Sequence, residues 1–96
     1  MLKRVLITAD IHPYIQHRFE SLGFSVDVFP EMVREHLLKI ISDYSVLIIT
    51  TYTKVDKTLI DKATNLKIVG RVGSGMENVD TAYCQQKNII CVNSPE

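Results

Sequence analysis

Five short aliphatic runs, each too brief to be a buried helix, constrain the fold of this chain more than any other feature. They are Leu2–Thr8, Ser25–Phe29, Val46–Ile49, Leu66–Val69 and Ile89–Val92. Runs of this length, rich in Val and Ile, read as strands, and those without polar alternation read as strands covered on both faces. Between them lie segments whose apolar residues recur at helical spacing. Ile15, Phe19 and Leu22 do so in Tyr14–Leu22, and Val33, Leu37, Leu38 and Ile41 in Glu31–Ile41. Leu59, Ile60 and Ala63 share a face of Asp56–Thr64, and a fourth helix is expected over Thr81–Lys87 with Asp80 as its N-cap. Gly23 and Asn88 suit the positions just past the first and fourth helices, and Pro30 stops the second strand.

Regular alternation of strand and helix implies a parallel sheet with helices on both faces and right-handed crossovers. With five strands, the expected architecture is a flavodoxin-like three-layer α/β domain with strand order 2-1-3-4-5. Ligands on such sheets bind beyond the carboxyl ends of the strands. That edge gathers Asp10–Pro13, Thr50–Thr53, Arg71–Gly75 and Asn93–Pro95. Ninety-six residues, 46% of them hydrophobic, suit one small domain with an ordinary core. No helical segment follows the fifth run before Glu96, so the domain is expected to be incomplete and to expose apolar surface that favours self-association.

Eleven basic and eleven acidic residues cancel, and they are scattered rather than striped. This disfavours nucleic acid or an anionic membrane as partner. The first aliphatic run breaks at Thr8 and Asp10, too short for the core of a signal peptide. No run approaches the roughly 18 apolar residues needed to cross a bilayer. Cys84 and Cys91 lack a CxxC or His/Cys spacing and suit reduced, buried thiols, and the three histidines lack metal-ligand spacing. A cytoplasmic protein with no bound metal is the expectation.

The stretch most suggestive of chemistry is Ile68-Val69-Gly70-Arg71-Val72-Gly73-Ser74-Gly75-Met76-Glu77-Asn78-Val79-Asp80. Glycine lets consecutive backbone N–H groups converge on an anion, and arginine offers a planar, permanently charged fork for a carboxylate or phosphate. As a GxGxxG dinucleotide fingerprint the loop is poor, because Asn78 stands where the third glycine belongs and the preceding strand is the fourth. No Gly-Lys-Ser/Thr makes a P-loop. Thr50, Thr51 and Thr53 offer hydroxyls at the same edge. His12 reads as a turn residue, His17 and His36 as solvated helix positions, and Asp10, Asp56 and Asp80 as caps or turn residues. The third strand runs into Thr50-Thr51-Tyr52-Thr53 with no phosphoacceptor Asp, unlike a receiver domain. The first loop, Ala9-Asp10-Ile11-His12-Pro13, is not a flavin phosphate loop.

Taken together, Leu47-Ile48-Ile49, Thr53-Lys54-Val55, Leu66 through Gly75, Glu77-Asn78-Val79-Asp80 and Val92-Asn93-Ser94-Pro95 resemble the D-isomer-specific 2-hydroxyacid dehydrogenases, especially their D-3-phosphoglycerate dehydrogenase-like members. The combination Gly-Arg-x-Gly-x-Gly-x-x-Asn-Val-Asp, a helix, then Asn-x-Pro carries the likeness. The resemblance implies that residues 1–96 are part of the substrate-binding (catalytic) domain of an NAD-dependent oxidoreductase acting on a small 2-hydroxy or 2-oxo acid. It implies that the N–H groups of Ser74 and Gly75 hold the substrate carboxylate, with Arg71 beside them and Thr51 and Tyr52 as further substrate contacts. Ser74 would also lie against the nicotinamide. Asn93 and Pro95 match the run that leads to the nucleotide-binding domain.

The family's dinucleotide fingerprint, catalytic arginine and Glu–His pair all fall beyond Glu96. No catalytic residue is therefore expected in this chain, and the parent is expected to be a homodimer or higher oligomer. Two departures stand out: Thr50 replaces an arginine common in phosphoglycerate dehydrogenases, and Asn88 replaces a common glycine. The alternative reading is a free-standing, non-catalytic flavodoxin-like module that binds a small anion or a partner protein.

Overall fold

The computed structural model describes residues 2–94. Its strands β1 (Arg4–Ile7), β2 (Ser25–Val28), β3 (Val46–Ile49), β4 (Ile68–Val72) and β5 (Ile90–Ser94) form one five-stranded sheet in the order β2-β1-β3-β4-β5. All neighbouring pairs are parallel. The connecting helices are α1 (Pro13–Ser21), α2 (Arg34–Ile40), α3 (Lys57–Lys62) and α4 (Thr81–Gln86), and a 3-10 turn at Ile41–Asp43 follows α2.

Right-handed crossovers dictate how the helices divide. The step from β1 to β2 runs one way along the sheet, and every later step runs the other way. One helix therefore covers one face and three cover the opposite face. Leu37 of α2, Leu59 and Ile60 of α3 and Cys84 of α4 pack on Leu6, Leu47, Ile49 and Val69. On the other face α1 alone places Ile15 and Phe19 against Val5, Ile7, Val46 and Ile48. That face runs out of cover at β5, where Ile90 and Val92 are 61% and 51% exposed.

Local signals set most boundaries. Asp56 and Asp80 cap α3 and α4, accepting from the backbone N–H groups of Leu59 and Tyr83 at 3.1 Å. Asn88 sits at φ 62°, the left-handed value expected past α4. His12 is the N-cap of α1, its Nδ1 accepting from the Tyr14 N–H at 3.0 Å.

Three expectations need correction. The segment Glu31–Ile41 becomes helical only at Arg34, so Val33 is an extended N-cap, 62% exposed, and not part of the buried face. The fourth strand does not end at Val69 but continues through Gly70 and Arg71 to Val72, because β3 and β5 flank it on both sides. Pairing with β4 also shifts the fifth strand to Ile90–Ser94. Pro95, expected at the ligand edge, lies outside the described residues.

Candidate functional site

The β4 register decides where the arginine goes. Arg71 pairs with Ile49 on one side and Asn93 on the other, so its side chain starts inside the sheet rather than from a loop. It is 5% exposed. One terminal nitrogen, Nη1, donates to Glu77 Oε1 at 3.4 Å, and the other, Nη2, donates to Thr51 Oγ1 at 3.2 Å. Nε has no partner among the described residues. The ion pair is lopsided, since the Glu77 side chain is 74% exposed and its charge is largely spent on water. A guanidinium this deeply buried with so little compensation is costly to hold, and an incoming anion would relieve it.

The glycine loop folds down over this cation. Gly73 and Gly75 have φ of 136° and 142°, values that side chains rarely adopt. A Cβ on Gly75 would crowd the Glu77 carboxylate and stand 3.0 Å from Arg71 Nη1, and its φ alone disfavours any side chain there. Ser74 is exposed at the tip. Among the described residues, the N–H groups of Ser74 and Gly75 donate to no other protein group. The Asn93 side chain reaches the Gly73 carbonyl at 3.4 Å, which brings the fifth strand to the same loop.

Asn78 joins this loop to the one after β3. Its Nδ2 donates to the carbonyls of Thr50 at 2.9 Å and Thr53 at 2.6 Å. An isolated parallel bridge between Val55 and Val79 continues the join. It is closed by Val55 N–H to Asn78 O at 2.9 Å and Asp80 N–H to Val55 O at 2.8 Å. Thr53 and Thr8 share a 2.7 Å hydroxyl bond, which ties the β1 loop to the same assembly. Neither the Asn78 clamp nor the Glu77 contact was among the candidates from sequence. The acidic and amide positions in Glu77-Asn78-Val79-Asp80 were the available signal, read there as motif and not as geometry.

Beside the Arg71 loop, beyond the ends of β1 and β3, lies an open cleft of about 1070 Å³. The sheet order changes direction at this point, the usual ligand position on such sheets. Thr51 belongs to both places, lining the cleft and accepting from Arg71. Tyr52 stands at the cleft mouth, 95% exposed. Asp10 lines the cleft, while His12 is committed to its cap. Arg34 also lines it, but its Nη2 is held by both Asp56 carboxylate oxygens at 2.7 and 2.8 Å, a bond that keeps the Asp56 carboxyl below its ordinary range.

The structure therefore brings Arg71, Ser74, Gly75, Thr51 and Tyr52 to one edge. Cys84 is not part of it. Burial, followed by a hydrogen bond with Cys91, pushes its thiol up to about 12, the behaviour of a core residue and not a nucleophile. Among the described residues no helix is long and apolar enough to cross a membrane.

Known proteins share both the sequence and the shape. The D-3-phosphoglycerate dehydrogenase of Methanocaldococcus jannaschii is 37% identical over 93 residues, which is 97% of this chain and 18% of that protein. The enzyme of the same name from Archaeoglobus fulgidus is 35% identical over 92 residues, 96% of this chain and 18% of that protein. The NAD+-bound 3-phosphoglycerate dehydrogenase of Entamoeba histolytica shares the fold, with a TM-score of 0.84 over 97% of this chain and 33% of that one at 22% identity. The chain thus spans 18% of the length of these two curated relatives. The catalytic-domain model of the D-isomer specific 2-hydroxyacid dehydrogenases matches residues 5–96, and the chain belongs to that family.

Proposed function

We propose that this chain is the substrate-carboxylate side of the active site of an NAD-dependent D-2-hydroxyacid dehydrogenase, acting on a 3-phosphoglycerate or glycerate type of acid. One observation carries the reading: a 5%-exposed Arg71, short of partners, lies under a loop whose Ser74 and Gly75 N–H groups are unused. In this role Arg71 and the two N–H groups hold the carboxylate of a 2-oxo or 2-hydroxy acid. Charge-assisted hydrogen bonds of this kind contribute about 1.5–3 kcal/mol each. Because carbon 2 is bonded directly to that carboxylate, fixing one fixes the other for reaction. Thr51 and Tyr52 contact the remainder of the substrate.

The dinucleotide itself, which carries the hydride, fits this chain only at its nicotinamide end, through the exposed Ser74. The four glycines are Gly23, Gly70, Gly73 and Gly75, a set that cannot make the fingerprint for the pyrophosphate. Residues 1–96 are accordingly part of the substrate-binding domain, with the nucleotide-binding domain and the groups for proton transfer outside them. A cytoplasmic setting suits the free thiols of Cys84 and Cys91, and the parent works as a homo-oligomer.

Calorimetric titration of the chain with D-glycerate and its 2-oxo acid tests the reading. Both should bind, and Arg71→Ala should weaken them at least tenfold. Equal heats for the two proteins, or none for either, would overturn it.

A further inference from the structure

We infer that the cleft beside the Arg71 loop selects an uncharged, hydroxyl-bearing substrate tail and disfavours a phosphorylated one. This rests on the assignment of the substrate carboxylate to the Gly73–Gly75 loop and deepens it. A small acid anchored there continues past Thr51, which both accepts from Arg71 and lines the cleft. What the tail meets is therefore set by the groups around that opening.

Their charges do not suit a dianion. Two cations line the cleft, Arg34 and Lys54. The Arg34 guanidinium is already taken by both oxygens of Asp56 and also donates to the Lys54 carbonyl at 3.3 Å. Lys54 makes no ion pair among the described residues, but the cleft also carries the carboxylates of Asp10 and Glu31, equally unpaired there. The local balance is one net negative charge, counting Asp56 with Arg34. A phosphate monoester carries close to two negative charges at neutral pH.

At roughly 6 Å in water, two charges against one cost about a factor of ten in binding. The remaining polar side chains are hydroxyls, those of Thr8, Thr50, Thr51 and Thr53 with Tyr52 at the mouth. Hydroxyls both donate and accept, which matches a polyhydroxy chain. Thr50, at the end of β3, supplies no charge.

D-Glycerate and 3-phospho-D-glycerate differ only by the phosphate and make a matched pair of probes. The chain, labelled with 15N, is titrated with each at low ionic strength while the backbone amides are followed by NMR. The Gly73–Gly75 amides should shift with both ligands, and D-glycerate should bind about tenfold more tightly. The double variant Asp10→Asn, Glu31→Gln removes two exposed carboxylates, turns the local balance from one net negative to one net positive charge, and should abolish the D-glycerate preference or reverse it in favour of the phosphorylated acid.

If the loop amides shift but the phosphorylated acid binds equally or better, charge selection by the cleft is wrong and the carboxylate site stands. A glycerate preference that persists unchanged in the double variant likewise overturns the role of Asp10 and Glu31. If neither ligand moves the loop amides, the carboxylate assignment fails and this inference falls with it.

Discussion

Two arginines at opposite ends of the same sheet have been treated in opposite ways. Arg4 lies at the amino end, half-exposed. It meets Asp27 at 3.1 Å, lies 4.7 Å over the Tyr44 ring, and shares Asp27 with the Tyr44 hydroxyl, which donates to it at 2.6 Å. Charge, ring and carboxylate meet one another, and no buried polar atom of the three lacks a partner among the described residues. Arg71 lies at the carboxyl end, buried, with a single well-hydrated carboxylate at 3.4 Å and an orphaned Nε. Stability alone would not build the second arrangement. The difference teaches where to look: a burial cost left standing at a ligand edge is what the proposed carboxylate site rests on, whereas a closed network serves the architecture.

Replacing each arginine in turn should give the largest contrast. Arg71→Met removes a poorly compensated buried charge, so stability should hold or rise by up to about 1–4 kcal/mol while carboxylate binding is lost. Arg4→Met should leave binding intact and cost about 1 kcal/mol in chemical denaturation. A reversal of these two outcomes would erase the distinction. Next in size is Gly75→Ala, which forces a Cβ against Glu77 and Arg71 at a φ of 142°. It should cost about 1–3 kcal/mol and abolish carboxylate binding together, with unchanged binding being the result that removes the loop from the site.

Asn78→Ala strips two loop carbonyls of their donor and should cost about 1–3 kcal/mol. Hydrogen exchange should quicken at residues 50–55 and 73–79 jointly, and quickening on one side alone would show that the loops are not clamped. The effect at the amino end shows only at alkaline pH. Burial first, then the hydrogen bond to Asp27, pushes the Tyr44 hydroxyl up from 10.0 to about 12. The folded protein keeps this proton where the unfolded chain releases it. The resulting stability is present below pH 10 and lost as the pH rises from 10.0 towards about 12. Unfolding curves of Tyr44→Phe should decline less steeply across that window than those of the wild type, and parallel declines would show that the Tyr44 proton is not held.

Much of the architecture was legible because it is written in local signals. The Val46–Ile49 strand, the caps Asp56 and Asp80 and the left-handed Asn88 follow from short-range chemistry, and the sheet order is the flavodoxin-like one expected of five strands alternating with helices. Strand β4 ran longer than its local sequence suggests. Gly70 weakens a strand by itself, but pairing on both sides, with Ile48 and Val92 packed near its α-carbon, outweighs that. At the site, Arg71 and its loop could be picked out by residue type, yet the depth of its burial could not, since that depends on β4 extending past it. The Asn78 clamp spans 28 residues to Thr50. No local pattern reports a contact over that distance.

The clamp has a consequence for how such a site can change over generations. Asn78 holds its neighbours by their carbonyls, and every residue has a carbonyl. The side chains at the tips, Thr51, Tyr52 and Ser74, are spectators to that attachment. Tyr52 and Ser74 can be exchanged while the skeleton beneath keeps its shape, whereas Thr51 also accepts from the buried Arg71; if these tips meet substrate as proposed, a new preference can arise there without asking the chain to learn a new way to fold.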